Sequence, residues 1–216
     1  MADGLGCRRM HGYLGAAFRQ AAVPEHNPTH RMAQAPVVVL DARAVERALE
    51  RMAREVVELN GGTVTGLCLI GIQRRGVELS SRLANLIEES EGIRPETGSL
   101  DITLYRDDLM QIGPRPVVGE TRLPSFGIDG KVVVIVDDVC YTGRTVRAAL
   151  DEVTDFGRPA RIMLCVLVDR GGRELPIQPD IVGKRIELDP HERIDVRVPE
   201  IDGTLLVERG RAGAAE

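Results

Sequence analysis

Short runs of β-branched and aliphatic residues alternate along this chain with longer stretches of helical period. Val37-Val38-Val39-Leu40 reads as a short strand. Asp41 then suits the N-cap of a helix over 42–59, in which Val45, Leu49, Met52, Val56 and Leu59 share one face at about 100° per residue. Residues 66–71 predict a strand buried on both faces, and residues 77–89 the next helix. Residues 98–104 start as an alternating strand and run into charge at 106–108. The region 110–126 is rich in Pro and Gly, has no period, and has the length of a lid or binding loop. Val132-Val133-Val134-Ile135-Val136 is an unbroken apolar run that ends in Asp137-Asp138. A helical pattern resumes through Val146, Ala148, Ala149, Leu150 and Val153. Residues 161–168 and 194–198 predict further strands, and Leu205-Leu206-Val207 is expected to close the sheet. Strands alternating with helices in this way predict one α/β domain, with a mostly parallel central sheet flanked by helices.

Domain limits follow from where the pattern fades. Residues 1–35 are weakly periodic and are expected to be a disordered extension, although 12–22 could form a short helix. Residues 36–209 make the domain, and 210–216 a fraying tail. The extension has basic residues but lacks the apolar core and cleavage site of a signal peptide.

Composition narrows the function classes. The chain has 216 residues, enough for a sizeable core, with 43% apolar and 28% charged. Aromatics are 3% with no Trp, which argues against reading RNA by base stacking. The net charge of −5 argues against a global nucleic-acid field but leaves room for a local basic patch. The four cysteines, Cys7, Cys68, Cys140 and Cys165, form no CxxC, so reduced thiols in a cytoplasmic protein and no zinc site are expected. No apolar run has the length needed to span a membrane. On the first helix Arg43, Arg47, Arg51 and Arg54 form a basic stripe. Two readings stand: an RNA-phosphate face, or a solvated face laced by pairs such as Glu50–Arg54, which the flanking glutamates favour.

The chemistry concentrates after the apolar run. Asp137 and Asp138 sit at a strand's carboxyl end, where open α/β sheets place ligands. Carboxylates accept from sugar hydroxyls and can hold hydrated Mg²⁺. The loop Thr142-Gly143-Arg144-Thr145 then opens a helix whose N–H groups and dipole suit a phosphate. Thr142 and Thr145 offer hydroxyls, Gly143 allows close approach, and Thr145 also suits an N-cap. Each charge-assisted hydrogen bond here is worth roughly 1.5–3 kcal/mol. This layout fits a phosphorylated sugar. Gln73-Arg74-Arg75-Gly76, again between a strand and a helix, suits a second anion such as a diphosphate.

These stretches together carry a family resemblance. Residues 133–145 resemble the phosphoribosyl diphosphate (PRPP) motif of type I phosphoribosyltransferases. The TGRT ending, the DITLYRDDL run at 101–109 and the Asp169-Arg170-Gly171-Gly172-Arg173-Glu174-Leu175-Pro176-Ile177 segment are similar to the PyrR family. That family comprises bifunctional pyrimidine-operon attenuation regulators and uracil phosphoribosyltransferases. The resemblance spans about residues 37–207 and implies the type I fold with a small hood and a mobile lid loop. It implies that uracil and PRPP give UMP and diphosphate with Mg²⁺, held near Asp137 and Asp138 through water or the ribose. The implied catalytic residues are Arg106, Asp137 and Asp138. The implied PRPP and nucleotide contacts are Arg74, Arg75, Val139, Cys140, Tyr141, Thr142, Gly143, Arg144, Thr145, Arg170 and Ile194, besides the acid pair. Arg51, Arg54, Arg173 and Lys184 are the implied RNA contacts, the partner being pyrimidine-operon leader mRNA and the protein a homo-oligomer. The chain departs from the family pattern at Gly172, where a histidine is usual, and at Glu50 and Arg54, where threonine and histidine are frequent. Those departures bear on RNA binding more than on catalysis. A purine-specific phosphoribosyltransferase remains the third reading, against which the hood segment speaks.

Overall fold

The computed structural model describes residues 35–105, 119–189 and 191–211. Its centre is a five-stranded, wholly parallel sheet in the order β3-β2-β4-β5-β6. The strands are β2 (Leu67–Ile72), β3 (Glu96–Leu100), β4 (Val132–Cys140), β5 (Arg161–Asp169) and β6 (Ile181–Arg185). Helices α1 (Ala42–Leu59) and α2 (Arg75–Glu91) cover one face, and α3 (Arg144–Phe156) covers the other.

The apolar runs are continuous because both faces are covered. Val134 and Val136 of β4 pack with Leu49, Met52, Leu79 and Leu83 of α1 and α2. Val133 and Ile135, pointing the other way, pack with Val146, Ala149 and Val153 of α3. α1 has the expected bounds, and Asp41 caps it by accepting from the Ala44 N–H at 2.8 Å. Leu59, at the helix end, is exposed rather than part of the buried face.

A second, three-stranded antiparallel sheet has the order β1-β8-β7, formed by β1 (Val37–Leu40), β7 (Glu192–Arg197) and β8 (Leu206–Arg211). The short helix α4 (Pro199–Asp202) lies between β7 and β8. This corrects the expectation that 205–207 close the central sheet. They enter the small sheet instead, where Val207 faces Leu40 and Val196. Strand β8 also runs on to Arg211, pairing Gly210 with Arg193, so chain expected to fray is hydrogen-bonded.

A second correction concerns 98–104. The strand stops at Leu100 and a 3-10 turn follows over Ile102–Tyr105. The Asp101 carboxylate accepts from both the backbone N–H and the hydroxyl of Thr103, which draws the chain out of extended geometry. Among the described helices none is long and apolar enough to cross a membrane. Residues 1–34 of the expected 1–35 extension, Arg106, and residues 110–118 of the expected 110–126 loop lie outside the described residues.

Candidate active site

Strand order creates the crevice. From β2 the chain turns through α2 to β3 on one side, while β4 leads through α3 to β5 on the other. The reversal lies between β2 and β4, and ligands of open α/β sheets bind outside the strand ends at such a point. β2 pairs with β4 only as far as Gly71 opposite Val136, whereas β4 continues beside β5 to Cys140 opposite Asp169. Asp137 and Asp138 therefore emerge just where one neighbour ends. The acid pair lies near the carboxyl end of β4, with Val139 and Cys140 completing the strand.

Asp137 is buried and Asp138 partly buried. Asp137 accepts from the Asp138 N–H at 2.9 Å, and Asp138 accepts from the Val139 N–H at 2.8 Å. Burial pushes the Asp137 carboxyl well above its ordinary range, and the charge of Asp138 adds to the push. Burial also raises Asp138, against the opposing pull of the Val139 N–H and the Arg75 charge. A cation or hydroxyl donors brought to this pair would relieve both effects.

The phosphate-side loop has a sharper geometry than its sequence indicates. α3 is capped by Gly143, in the left-handed region at φ 92°, and not by Thr145, which is already helical. With no side chain at the cap, the first-turn N–H groups open directly onto the loop. Thr142 turns its hydroxyl oxygen inward to accept from the Arg144 N–H at 3.3 Å. Arg144 reaches across to Glu174, its Nε donating at 2.7 Å.

That loop and the 169–177 segment form one hydrogen-bonded unit. The Thr142 carbonyl accepts from the N–H groups of Glu174 (3.0 Å) and Leu175 (3.1 Å), and the Cys140 carbonyl from that of Arg170 (3.1 Å). Arg173 lies inside the unit. It donates to the Asp169 carboxylate at 2.6 Å, the Tyr141 carbonyl at 2.7 Å and the Ile177 carbonyl at 2.9 Å. Its side chain is 12% exposed, so the expected RNA contact at Arg173 is corrected to a clamp between two loops. The i,i+4 spacing of Asp169 and Arg173 was the signal for this pairing. Arg170 stacks its guanidinium 3.8 Å from the Tyr141 ring centroid. The departure at Gly172 has a local reason. Its φ is +74°, and a Cβ there would meet the Tyr141 ring at 2.5 Å.

The Cys140 thiol is buried in the core beneath α3, and Val139 packs against the opposite core, so each offers the crevice only its backbone. Ile194 is buried in β7 within the larger core. The loop between β2 and α2 is just Gln73-Arg74, because α2 begins at Arg75. Arg74 lines a cleft of about 360 Å³ with Gln73, Ser99, Gly119 and Arg122. Arg75 is paired with Asp202 of α4, 127 residues away, through two hydrogen bonds.

Of the expected RNA-face residues, Arg54 pairs with Glu50 at 4.0 Å. Arg51 donates to the carbonyls of Val182 and Gly183. Arg51, Lys184 and Arg185 line one cleft of about 450 Å³, together with Glu55 and Asp180.

Residues 38–200 match the model of the phosphoribosyl transferase domain. The Bifunctional protein PyrR of Roseiflexus sp. is 56% identical over 165 residues, covering 76% of this chain and 89% of that protein. The Bifunctional protein PyrR of Thermus aquaticus is 55% identical over 170 residues, covering 79% and 93%. Among solved structures, a hypoxanthine-guanine phosphoribosyltransferase from Bacillus anthracis superposes with a TM-score of 0.62 at 16% identity, covering 80% of this chain and 96% of that one. That last likeness speaks to fold alone.

Proposed function

The chain belongs to the phosphoribosyltransferase family and, within it, to the PyrR proteins, and from that premise we propose that it converts uracil and PRPP to UMP and diphosphate. The observation that carries the reading is the fusion of the Gly143 phosphate loop with the 169–177 hood beside a buried acid pair. A sugar phosphate bound at α3 then has its ring over Asp137 and Asp138 and its anomeric carbon toward the hood.

In this reading N1 of uracil bonds to C1 of the ribose as the C1–O bond to diphosphate breaks, and the N1 proton is lost. Positive charge develops on the ring, as in glycosyl transfer generally. Asp137 and Asp138 accept from the ribose hydroxyls and supply negative charge nearby. Thr142, Gly143, Arg144 and Thr145 hold the 5-phosphate, and backbone groups of the hood read the uracil edge under the Arg170–Tyr141 stack. Arg74 and Arg75, together with Arg106 as the family resemblance implies, are the cations assigned to the developing charge of the diphosphate. Mg²⁺ fits the hard oxygens of the acid pair. The acid pair would hold the ion through water or the ribose, where its charge would offset that of the diphosphate.

UMP formation from uracil, PRPP and Mg²⁺ tests the assignment. The Asp137→Asn, Asp138→Asn double variant is expected to keep the fold and to lose at least about 10²-fold in turnover, the scale of a lost electrostatic contact at a transition state. Wild-type turnover in that variant would overturn the reading.

Regulation is the second half of the proposal: a UMP-responsive contact with pyrimidine-operon leader mRNA. A catalyst without RNA binding is favoured by one observation, the engagement of Arg173 within the protein. A gel shift of the leader RNA with and without UMP separates the two. A homo-oligomeric state and a cytoplasmic location accompany the reading, and sedimentation and cell fractionation test them.

A further inference from the structure

Two ion pairs join α2 to α4, and α4 belongs to the small sheet rather than the central one. At the first residue of α2, Arg75 Nε donates to Asp202 Oδ2 at 3.0 Å and Nη2 to Oδ1 at 2.9 Å. Two helical turns on, Arg82 Nη2 donates to Glu200 Oε1 at 2.6 Å. The Arg75 pair is the forked, two-bond form that fixes a guanidinium plane, and the Asp202 side chain is 16% exposed. Asp202 is itself held, because Oδ2 also accepts from the Val198 N–H at 3.0 Å. The fork occupies one edge of the guanidinium and leaves Nη1 for another acceptor. Arg75 also lies near enough to Asp138 for its charge to favour that carboxylate.

We propose that Asp202 is a positioning residue: from the small sheet it holds Arg75 by its Nε–Nη2 edge, so that the opposite edge faces the diphosphate of PRPP. The inference rests on the reading of Arg75 as a diphosphate contact. An arginine side chain at a helix start, left to itself, spreads over many rotamers, and a planar fork lost from its orientation binds an anion less well. Holding it from the small sheet makes diphosphate affinity depend on how that sheet sits on α2. The second pair, Arg82–Glu200, supports the docking of α4 but lies two turns from the loop.

Calorimetric titrations of the full chain with Mg²⁺-PRPP, and separately with UMP, test this across Asp202→Asn, Arg75→Ala, the double variant and Glu200→Gln. Asp202→Asn is expected to weaken PRPP about tenfold, equivalent to about 1.4 kcal/mol. UMP, which lacks the diphosphate, should stay within about twofold. In the Arg75→Ala background Asp202→Asn should add nothing, because its effect runs through Arg75. Arg75→Lys keeps the charge without the fork and should weaken PRPP as Asp202→Asn does, which keeps the test alive if the latter unfolds.

An Asp202→Asn effect of equal size in the Arg75→Ala background would overturn the inference alone. So would an equal loss of UMP affinity, or a matching PRPP loss in Glu200→Gln, since either would mean a general loosening of the small sheet. Unchanged PRPP binding in Arg75→Ala would overturn both this inference and the diphosphate role of Arg75.

Discussion

Buried polar groups decide much of what single residues do here. Glu152 of α3 is 2% exposed. One of its carboxylate oxygens accepts from the Thr121 hydroxyl, and the other has no partner among the described residues. Burial pushes its pKa up, with the nearby Asp101 charge adding to the Thr121-opposed shift. A carboxyl whose folded pKa is raised binds its proton more tightly when folded. Its contribution to stability is therefore greatest in acid and falls as pH rises through the folded value. Glu152→Gln keeps an acceptor for Thr121 and removes the buried charge. Its melting temperature is expected to exceed wild type at pH 8, with the difference shrinking toward pH 5. A difference that grows on acidification would contradict this. The thiols give a second test. Burial raises Cys68 to about 12 and Cys140 to about 11, and raises Cys165 as well. In a Cys7→Ser background, iodoacetamide at pH 8 should label the native protein at none of the three within an hour and the denatured protein at all of them, read by mass spectrometry. The phosphate-loop residues were legible because their chemistry is local. The Asp202 partner of Arg75 was not legible, because it lies 127 residues away and only the tertiary fold supplies it.

At the scale of elements, the glycines at the end of β2 and the start of α2 set how the diphosphate-side loop sits. A Cβ at Gly71 would lie 2.4 Å from the Gly76 carbonyl oxygen and from the Val77 Cα. One at Gly76 would lie 2.5 Å from the Val136 carbonyl oxygen. These obstacles are backbone and cannot swing aside. The strand therefore packs directly on the helix start, and the helix start on β4 beside the acid pair. Gly71→Ala is expected to destabilise the fold by about 1–3 kcal/mol, the range for overpacking, and to impair PRPP binding more than UMP binding. Urea unfolding and the two titrations measure it, and a neutral Gly71→Ala would mean that the loop tolerates displacement. Element type followed the hydrophobic period closely where both faces are buried, as in β2, β4 and β5. It failed at 102–105, where alternation continued but the Asp101 side chain captured Thr103 and turned the chain. It missed β6 and α4, whose short runs carry too few apolar positions to show a period.

At the scale of the whole molecule, charge separates two roles on one scaffold. The chain carries −5 overall, so an RNA contact must rest on a patch. The central parallel sheet was legible from its apolar strands. The split into two sheets was not, because antiparallel pairing of β1 with β8 joins residues from opposite ends of the domain. α1 lies against β6, and Arg51, Lys184 and Arg185 gather there around one cleft with Glu55 and Asp180, while Arg173 is engaged elsewhere. Each phosphate neutralised on single-stranded RNA contributes a slope of roughly −0.7 to log affinity against log salt. With those cations as the contact set, the UMP-dependent component of leader-RNA binding is expected to have a shallow slope of about −2. Arg51→Ala with Lys184→Ala should flatten that slope to about −0.7 while leaving UMP synthesis within about twofold of wild type. A slope steeper than about −4 would require a larger basic surface than this cleft provides. No UMP-dependent shift at low salt would leave catalysis as the sole function of the fold.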